Sequence, residues 1–304
     1  MKAVLRIVGY LLLAAATLSI LVFAAILLPA HWQIRSVAVE IPSVQQLDLA
    51  LGQVSAEAFP TRIQFINTAQ QSGPFGSLGH VALLIQWADG KSFLVDTGMN
   101  EAEAVAFGSP FELLGAEPTQ AFGPVERQLG SAVESIRGIG LTHLHSDHVA
   151  GISGICDAME SPATIYQTHN QNSRQNLHTE SGQVLVNESS CSKSELAATL
   201  IKPIPGFSGL FAIDAGGHTP GSTLFVTRLD GETWIFAGDI TNAMADIHSN
   251  RGKGFIYSYL LIPEDVQLLG QWRLWLKAQD DRAGVHVLVA HDIAAYHASD
   301  LQAW

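Results

Sequence analysis

The stretch LTHLHSDHVAG, residues 141–151, sets three histidines and one aspartate within six positions. The chain has 12 histidines in 304 residues, so this density needs a chemical reason. His143 and His145 are two apart, and at the end of an extended strand they point the same way. Asp147 and His148 follow at once, where the chain must turn. Four side chains of this type on so short a loop crowd a single ion. They suit two ions side by side, because imidazole nitrogen and carboxylate oxygen both ligate Zn2+ and other first-row divalent cations.

Two ions need more ligands, and the flanking sequence offers them. His218 stands in AGGHTPGS, directly after the apolar run LFAID. Asp239 ends STLFVTRLDGETWIFAGDIT, which reads as two strands joined at Asp230-Gly231. His291 ends the run VHVLVA. Upstream, HVALLIQWADGKSFLVDTG reads as a hairpin turning at Asp89-Gly90, its second strand running into Asp96. Each hairpin is followed, some 45–50 residues on, by another apolar strand ending in histidine. The repeated order suggests two β-rich halves whose strand ends converge on one edge, where loops carry function. Helices are expected near 124–130, 148–158, 193–199 and 263–279, which makes the chain α/β.

The pattern H-x-H-x-D-H followed by a distant His, Asp and His resembles the metallo-β-lactamase superfamily of metallohydrolases. The resemblance spans roughly residues 61–300 and includes the contexts GHTPGS and FAGD. It implies a four-layer αβ/βα sandwich with two divalent metal ions at one edge, Zn2+ being the first candidate. By this resemblance His143, His145 and His218 bind one ion, and Asp147, His148 and His291 the other. Asp239 touches both, so Asp147 and Asp239 are the carboxylates at the catalytic centre. Asp96 becomes a carboxylate that orients a metal-bound histidine; a turn aspartate is the plainer alternative. His80, His169, His178, His248, His286 and His297 match no motif and read as surface or packing residues. His169, just after ATIYQ, is the first exception to consider. Paired metals roughly 3.5–4 Å apart activate water near neutral pH and polarise the substrate, so no Ser or Cys nucleophile is needed.

Departures from the family's branches narrow the reaction. True metallo-β-lactamases usually carry Cys or Ser where Asp239 stands; an aspartate fits lactonases, thioesterases and phosphodiesterases. Oxygen-reducing di-iron members usually have Glu at the place of His145. GHTPGS and AHD resemble lactonase-type members most. Those often have Tyr three residues after the bridging Asp, where this chain has Asn242. Tyr257 or Tyr259, in the following Gly-containing loop, could face the substrate instead, or could pack with Phe255 under the last helix. Trp272 and Trp275 read as core residues. The expected activity is therefore metal-dependent hydrolysis of a small ester, lactone or amide. The alternatives are a phosphodiesterase of the same fold and a metal-binding domain without turnover.

Composition sets the surroundings. Net charge is -12 with no cluster of Lys and Arg, which disfavours a nucleic-acid partner and leaves a small-molecule substrate. Mean hydropathy is +0.21, and much of it sits in the 22 uncharged residues from Ile7 to Leu28. As a helix this run spans roughly 33 Å, enough for a hydrocarbon core of about 30 Å. It is longer than a signal-peptide core of roughly 7–15 residues, and Leu28-Pro29-Ala30 is a poor cleavage site. Lys2 and Arg6 precede it, which keeps the N-terminus cytoplasmic. The reading is an anchor over 1–30, a stalk or extension over 31–60, and a catalytic domain over 61–304 in the periplasm or outside the cell. A secreted protein released by cleavage is the alternative. Cys156 and Cys191 could pair in such a compartment or stay as two thiols.

Overall fold

The computed structural model describes residues 2–74 and 76–304. Two β-sheets stack face to face, and helices cover both outer faces. The first sheet has eight strands. The long hairpin of Arg62–Gly73 and Gly76–Gln86 continues into Ser92–Val95, Ile136–Gly140, Thr164–Gln167 and Ser192–Glu195. The last four pair in parallel. Gln302–Ala303 and Gln120–Ala121 both add to Arg62–Gly73. The second sheet runs in the order Val285–Leu288, Glu232–Phe236, Thr223–Leu229, Phe211–Asp214 and Lys202–Pro203.

Both expected hairpins form. Asp230 and Gly231 take φ of 52° and 85°, the left-handed backbone that a two-residue turn needs. The side-chain period of two then sorts each strand. Val81, Leu83 and Ile85 point between the sheets, towards Phe225, Trp234 and Phe236. Ala82 and Leu84 point the other way, onto Val125, Val149, Ile152 and Ile155. On the second sheet Leu224, Val226 and Ile235 face outward onto Leu269, Trp272 and Leu276 of the helix Val266–Asp280. Sheets covered on both faces read as continuous apolar runs, which is why HVALLIQW shows no alternation. The layers are helix, sheet, sheet, helix, the four-layer α/β sandwich.

Asp265 caps the helix Val266–Asp280 by accepting from the Gln267 and Leu268 amides, so it starts later than Pro263. Trp272 is fully buried and donates its indole N–H to the Ala215 carbonyl at 2.8 Å. The expectation of a helix over 193–199 is wrong. Ser192–Glu195 is instead an edge strand, parallel to Thr164–Gln167, and its four polar, mostly exposed residues are those of an edge facing water. A disulfide between Cys156 and Cys191 fixes the start of this strand to the helix Ile152–Ala158.

The N-terminal helix runs from Lys2 to Arg35 and is long and apolar enough to cross a membrane. Only 6% of its most apolar window is buried. Its last turns are different, since Ala30 and Ile34 are buried. In the extension that follows, Ser43 caps the helix Val44–Gly52. Leu47 and Leu51 of that helix join the outer core of the second sheet with Trp272.

Candidate metal centre

Strand ends bring the chemistry together. The strand Ile136–Gly140 stops just before Thr142, and His145 caps the short helix Ser146–Val149. Asp147 and His148 therefore lie on that helix's first turn, turned back towards His143. Asp96 follows the strand Ser92–Val95 with φ of 60°, a left-handed backbone that Asp tolerates better than most residues. Its carboxylate is fully used there. Oδ1 accepts from the Thr142 amide at 2.7 Å, and Oδ2 accepts from Thr142 Oγ1 at 2.7 Å and from His148 Nδ1 at 2.8 Å. Asp96 thereby fixes the His148 ring with Nε2 pointing inward. Gly238, with φ of 55°, lets the second sheet approach the same loop; a Cβ there would sit 2.8 Å from Thr142 Cβ.

All seven residues expected as ligands converge. His143 Nε2 and His218 Nε2 lie 3.0 and 3.2 Å from His145 Nδ1. His148 Nε2 lies 3.4 Å from Asp147 Oδ2 and 3.5 Å from Asp239 Oδ1. The other Asp239 oxygen, Oδ2, is 3.1 Å from His291 Nε2 and 3.5 Å from His218 Nε2. His291 is oriented from behind, its Nδ1 donating to the Gly79 carbonyl at 2.7 Å. Three sets of potential ligand atoms lie within 4.8 Å of one another: His143, His145 and His218; His143, His148 and Asp239; and His80, Asp147 and His291.

Two inward-facing atoms of this cluster, His148 Nε2 and Asp239 Oδ1, are buried without a hydrogen-bond partner. Buried unpaired polar atoms cost about 1–3 kcal/mol each. An imidazole nitrogen and a carboxylate oxygen in that condition fit a bound divalent cation. Burial opposes charge on His148 and His291, but Asp147 and Asp96 beside the first and Asp239 beside the second outweigh it and raise both pKa values; His143 and His145 differ. Burial, aided by His148 beside His143 and by His218 beside His145, holds both imidazoles well below their ordinary pKa, so they are neutral. Burial pushes Asp147 and Asp239 up, but His148 beside the first, and His291 and Lys253 beside the second, outweigh it; both carboxyls are held well below the usual range.

Sequence reasoning missed four members of the site. His80, read as a packing residue, is buried with its Nδ1 3.2 Å from Asp147 Oδ2. It sits on the strand Gly76–Gln86, remote from any histidine motif, so only the strand pairing reveals it. Glu264 was legible only as part of the expected helix near 263–279. Its Oε1 instead accepts from His218 Nδ1 at 2.7 Å, and its Oε2 accepts from Ser258 Oγ at 2.6 Å. Lys253 lies with Nζ 3.4 Å from Asp239 Oδ2 and 3.6 Å from Glu264 Oε1. Burial opposes its charge, but Tyr257, Asp239 and Glu264 overcome this and raise its pKa. His178 is half-buried, its ring centroid 6.1 Å from that of His145.

The remaining expectations divide. Tyr257 reaches the site through Lys253, whose Nζ lies 5.2 Å from the ring centroid. Tyr259 turns away and faces His31 of the N-terminal helix. Asn242 is half-buried with Oδ1 unpartnered. His169, the first exception considered, is on the surface and pairs with Glu195. His248 pairs with Asp280, His286 stacks on Trp234, and His297 packs against Phe65, all outside the centre.

Residues 76–291 match the family described as the metallo-beta-lactamase superfamily. The chain belongs to that superfamily. It is a metal-dependent hydrolase by that membership, and the sandwich with its ligand edge is the superfamily's architecture. No curated protein matches the chain. Among solved structures, an N-acyl homoserine lactone hydrolase with the product N-hexanoyl-L-homoserine at its catalytic metal centre is 15% identical. That match covers 80% of this chain and 98% of the other, with a TM-score of 0.58. The AiiA protein of B. thuringiensis, with N-decanoyl-L-homoserine bound, is 15% identical over the same shares, with a TM-score of 0.59. A probable metal-dependent hydrolase from Staphylococcus aureus is 15% identical, covering 76% of this chain and 88% of its own, with a TM-score of 0.51. At these identities the likeness shows the fold alone.

Proposed function

We propose that this chain is a dinuclear metallohydrolase that opens a small carboxylic ester, lactone or amide. The observation that carries this reading is the convergence of seven ligand-type side chains with two buried, unpartnered ligand atoms among them. In this reading His143, His145 and His218 hold one ion, and Asp147, His148 and His291 hold the other. Asp239 is shared, as its two oxygens face different histidines. When bound, the ions supply a nucleophile from water at neutral pH and a Lewis acid for the substrate oxygen; Zn2+ suits the nitrogen-rich set.

The chain's own residues prepare that chemistry. Asp96, Glu264 and the Gly79 carbonyl each take the outer N–H of a ligand histidine, which fixes the tautomer and turns Nε2 inward. Lys253 balances the charge of Asp239 and Glu264 in a site screened from water. Lactones are the favoured substrates within the class, because GHTPGS and AHD resemble lactonase-type members and both homoserine-bound structures share this fold. Turnover of esters, lactones and phosphodiesters by the full chain, with and without chelator, tests the proposal. Chelator-sensitive turnover of carboxylic esters or lactones is expected. Turnover confined to phosphodiesters would shift the assignment to the phosphodiesterase reading, and no turnover on any of them would leave a metal-binding domain.

We also propose that the N-terminal helix anchors the enzyme with its catalytic domain outside the cytoplasm. Lys2 and Arg6 before the apolar run, and the Cys156–Cys191 disulfide, both support that orientation.

A further inference from the structure

We propose that the segment Phe255–Leu261 is a membrane-seated collar that rests in the headgroup layer beside the anchor and receives substrates from the bilayer. This rests on the anchored reading above. The segment, a single π-helical turn over Ile256–Leu261 entered from Phe255, has two faces of opposite character. Its inner face belongs to the metal centre: Ser258 Oγ donates to Glu264, which holds His218. Its outer face is apolar and bare. Phe255 and Ile256 are 67% and 65% exposed, and Leu260 and Leu261 are exposed beside them. Such side chains in water on a monomer mark an interaction surface.

The anchor helix says what covers them. His31 Nε2 lies 3.1 Å from the Tyr259 carbonyl oxygen, and the two rings are 5.6 Å apart. His31 is three residues past the end of the apolar run at Leu28, hence about 4.5 Å beyond the hydrocarbon edge at 1.5 Å per residue. That is the level of the headgroup and acyl boundary, into which amphipathic surface segments sink by about 5–10 Å. Trp32, 71% exposed on the next residue, is a side chain suited to that layer. The hydrogen bond to His31 therefore holds the apolar face of the collar at membrane depth.

The collar also borders the open side of the centre. Of the seven ligand residues, six are buried and only His145 is partly exposed. His178 stands beside His145, close to the Leu261 backbone, and its neighbour Leu177 is exposed. An amphiphile with its tail in the leaflet could pass its polar head along this apolar rim to His145 without leaving the membrane. The substrate class that fits is an ester or lactone carrying an acyl chain.

The test uses the full chain in vesicles of phosphatidylethanolamine and phosphatidylglycerol. Both native cysteines are locked in the disulfide, so single variants Ile256→Cys and Leu260→Cys can carry an environment-sensitive fluorophore. Leu274→Cys, exposed on the helix Val266–Asp280, serves as the reference. Flotation of the vesicles checks the anchor separately. The expected result is co-flotation, a blue-shifted signal from both collar labels, and quenching by a headgroup-attached nitroxide lipid several-fold above that at Leu274→Cys. Co-flotation with collar labels as little quenched as the reference overturns the collar alone. Failure to float overturns the anchor and the collar with it.

Discussion

Glu264 offers a sharp check on how the centre is built, because it touches no ion in the proposed site and yet orients one ligand. Replacing it with alanine removes the acceptor of the His218 N–H at 2.7 Å and of the Ser258 hydroxyl at 2.6 Å. It also leaves Lys253 with Asp239 as its remaining carboxylate. Loss of a carboxylate behind a metal-bound histidine costs about 10–100-fold in metal affinity, equivalent to about 1.4–2.7 kcal/mol. The loss should fall on the ion held by His143, His145 and His218, since the orienting bonds of His148 and His291 come from Asp96 and Gly79. Glu264→Gln keeps an oxygen for the His218 N–H and should fall between wild type and Glu264→Ala. Competition titration against a chromophoric chelator, at fixed pH and salt, resolves the two affinities. One class of site should weaken by tenfold or more in Glu264→Ala while the other stays within a few-fold of wild type. Equal weakening of both ions, or none of either, would refute the assignment of Glu264 to His218.

Other consequences follow from the same geometry. Asp239→Ala should lose both ions and all turnover, whereas Asp96→Ala, acting through His148, should cost about 10–100-fold; elemental analysis and kinetics on the two variants would show the opposite ranking if the shell order were wrong. The disulfide closes a separation of 35 residues, which the chain-entropy estimate values at about 4 kcal/mol. The double variant Cys156→Ser/Cys191→Ser should therefore melt on the order of 10 °C lower by calorimetry. An unchanged melting temperature would mean that the edge strand Ser192–Glu195 adds little to cooperative stability.

What the sequence disclosed, and what it hid, has a physical pattern. Residues that must sit two or three apart on one strand-to-helix turn, such as His143, His145 and His148, announce themselves, because short-range spacing is itself the constraint. Asp239 and His291 were readable for a related reason: each ends an apolar strand, and strand ends meet at one edge of a sandwich. His80 and Glu264 were not. Their partners, Asp147 and His218, are 67 and 46 residues away, and only sheet pairing and the docking of a helix bring them close. Lys253 was hidden in the Gly-containing loop before Tyr257, where no motif marked it. The edge strand Ser192–Glu195 was misjudged as helix because its run of polar residues carries no apolar period, and its place is set by pairing with Thr164–Gln167 and by the disulfide.

The central claim is that two metal ions sit in this centre. Elemental analysis of the full chain, purified without chelator and again after reconstitution with Zn2+ and removal of excess, measures it directly. The account predicts two equivalents per chain in the reconstituted protein and chelator-reversible loss of turnover as they are withdrawn. A plateau at one equivalent or fewer, with full turnover, would contradict it.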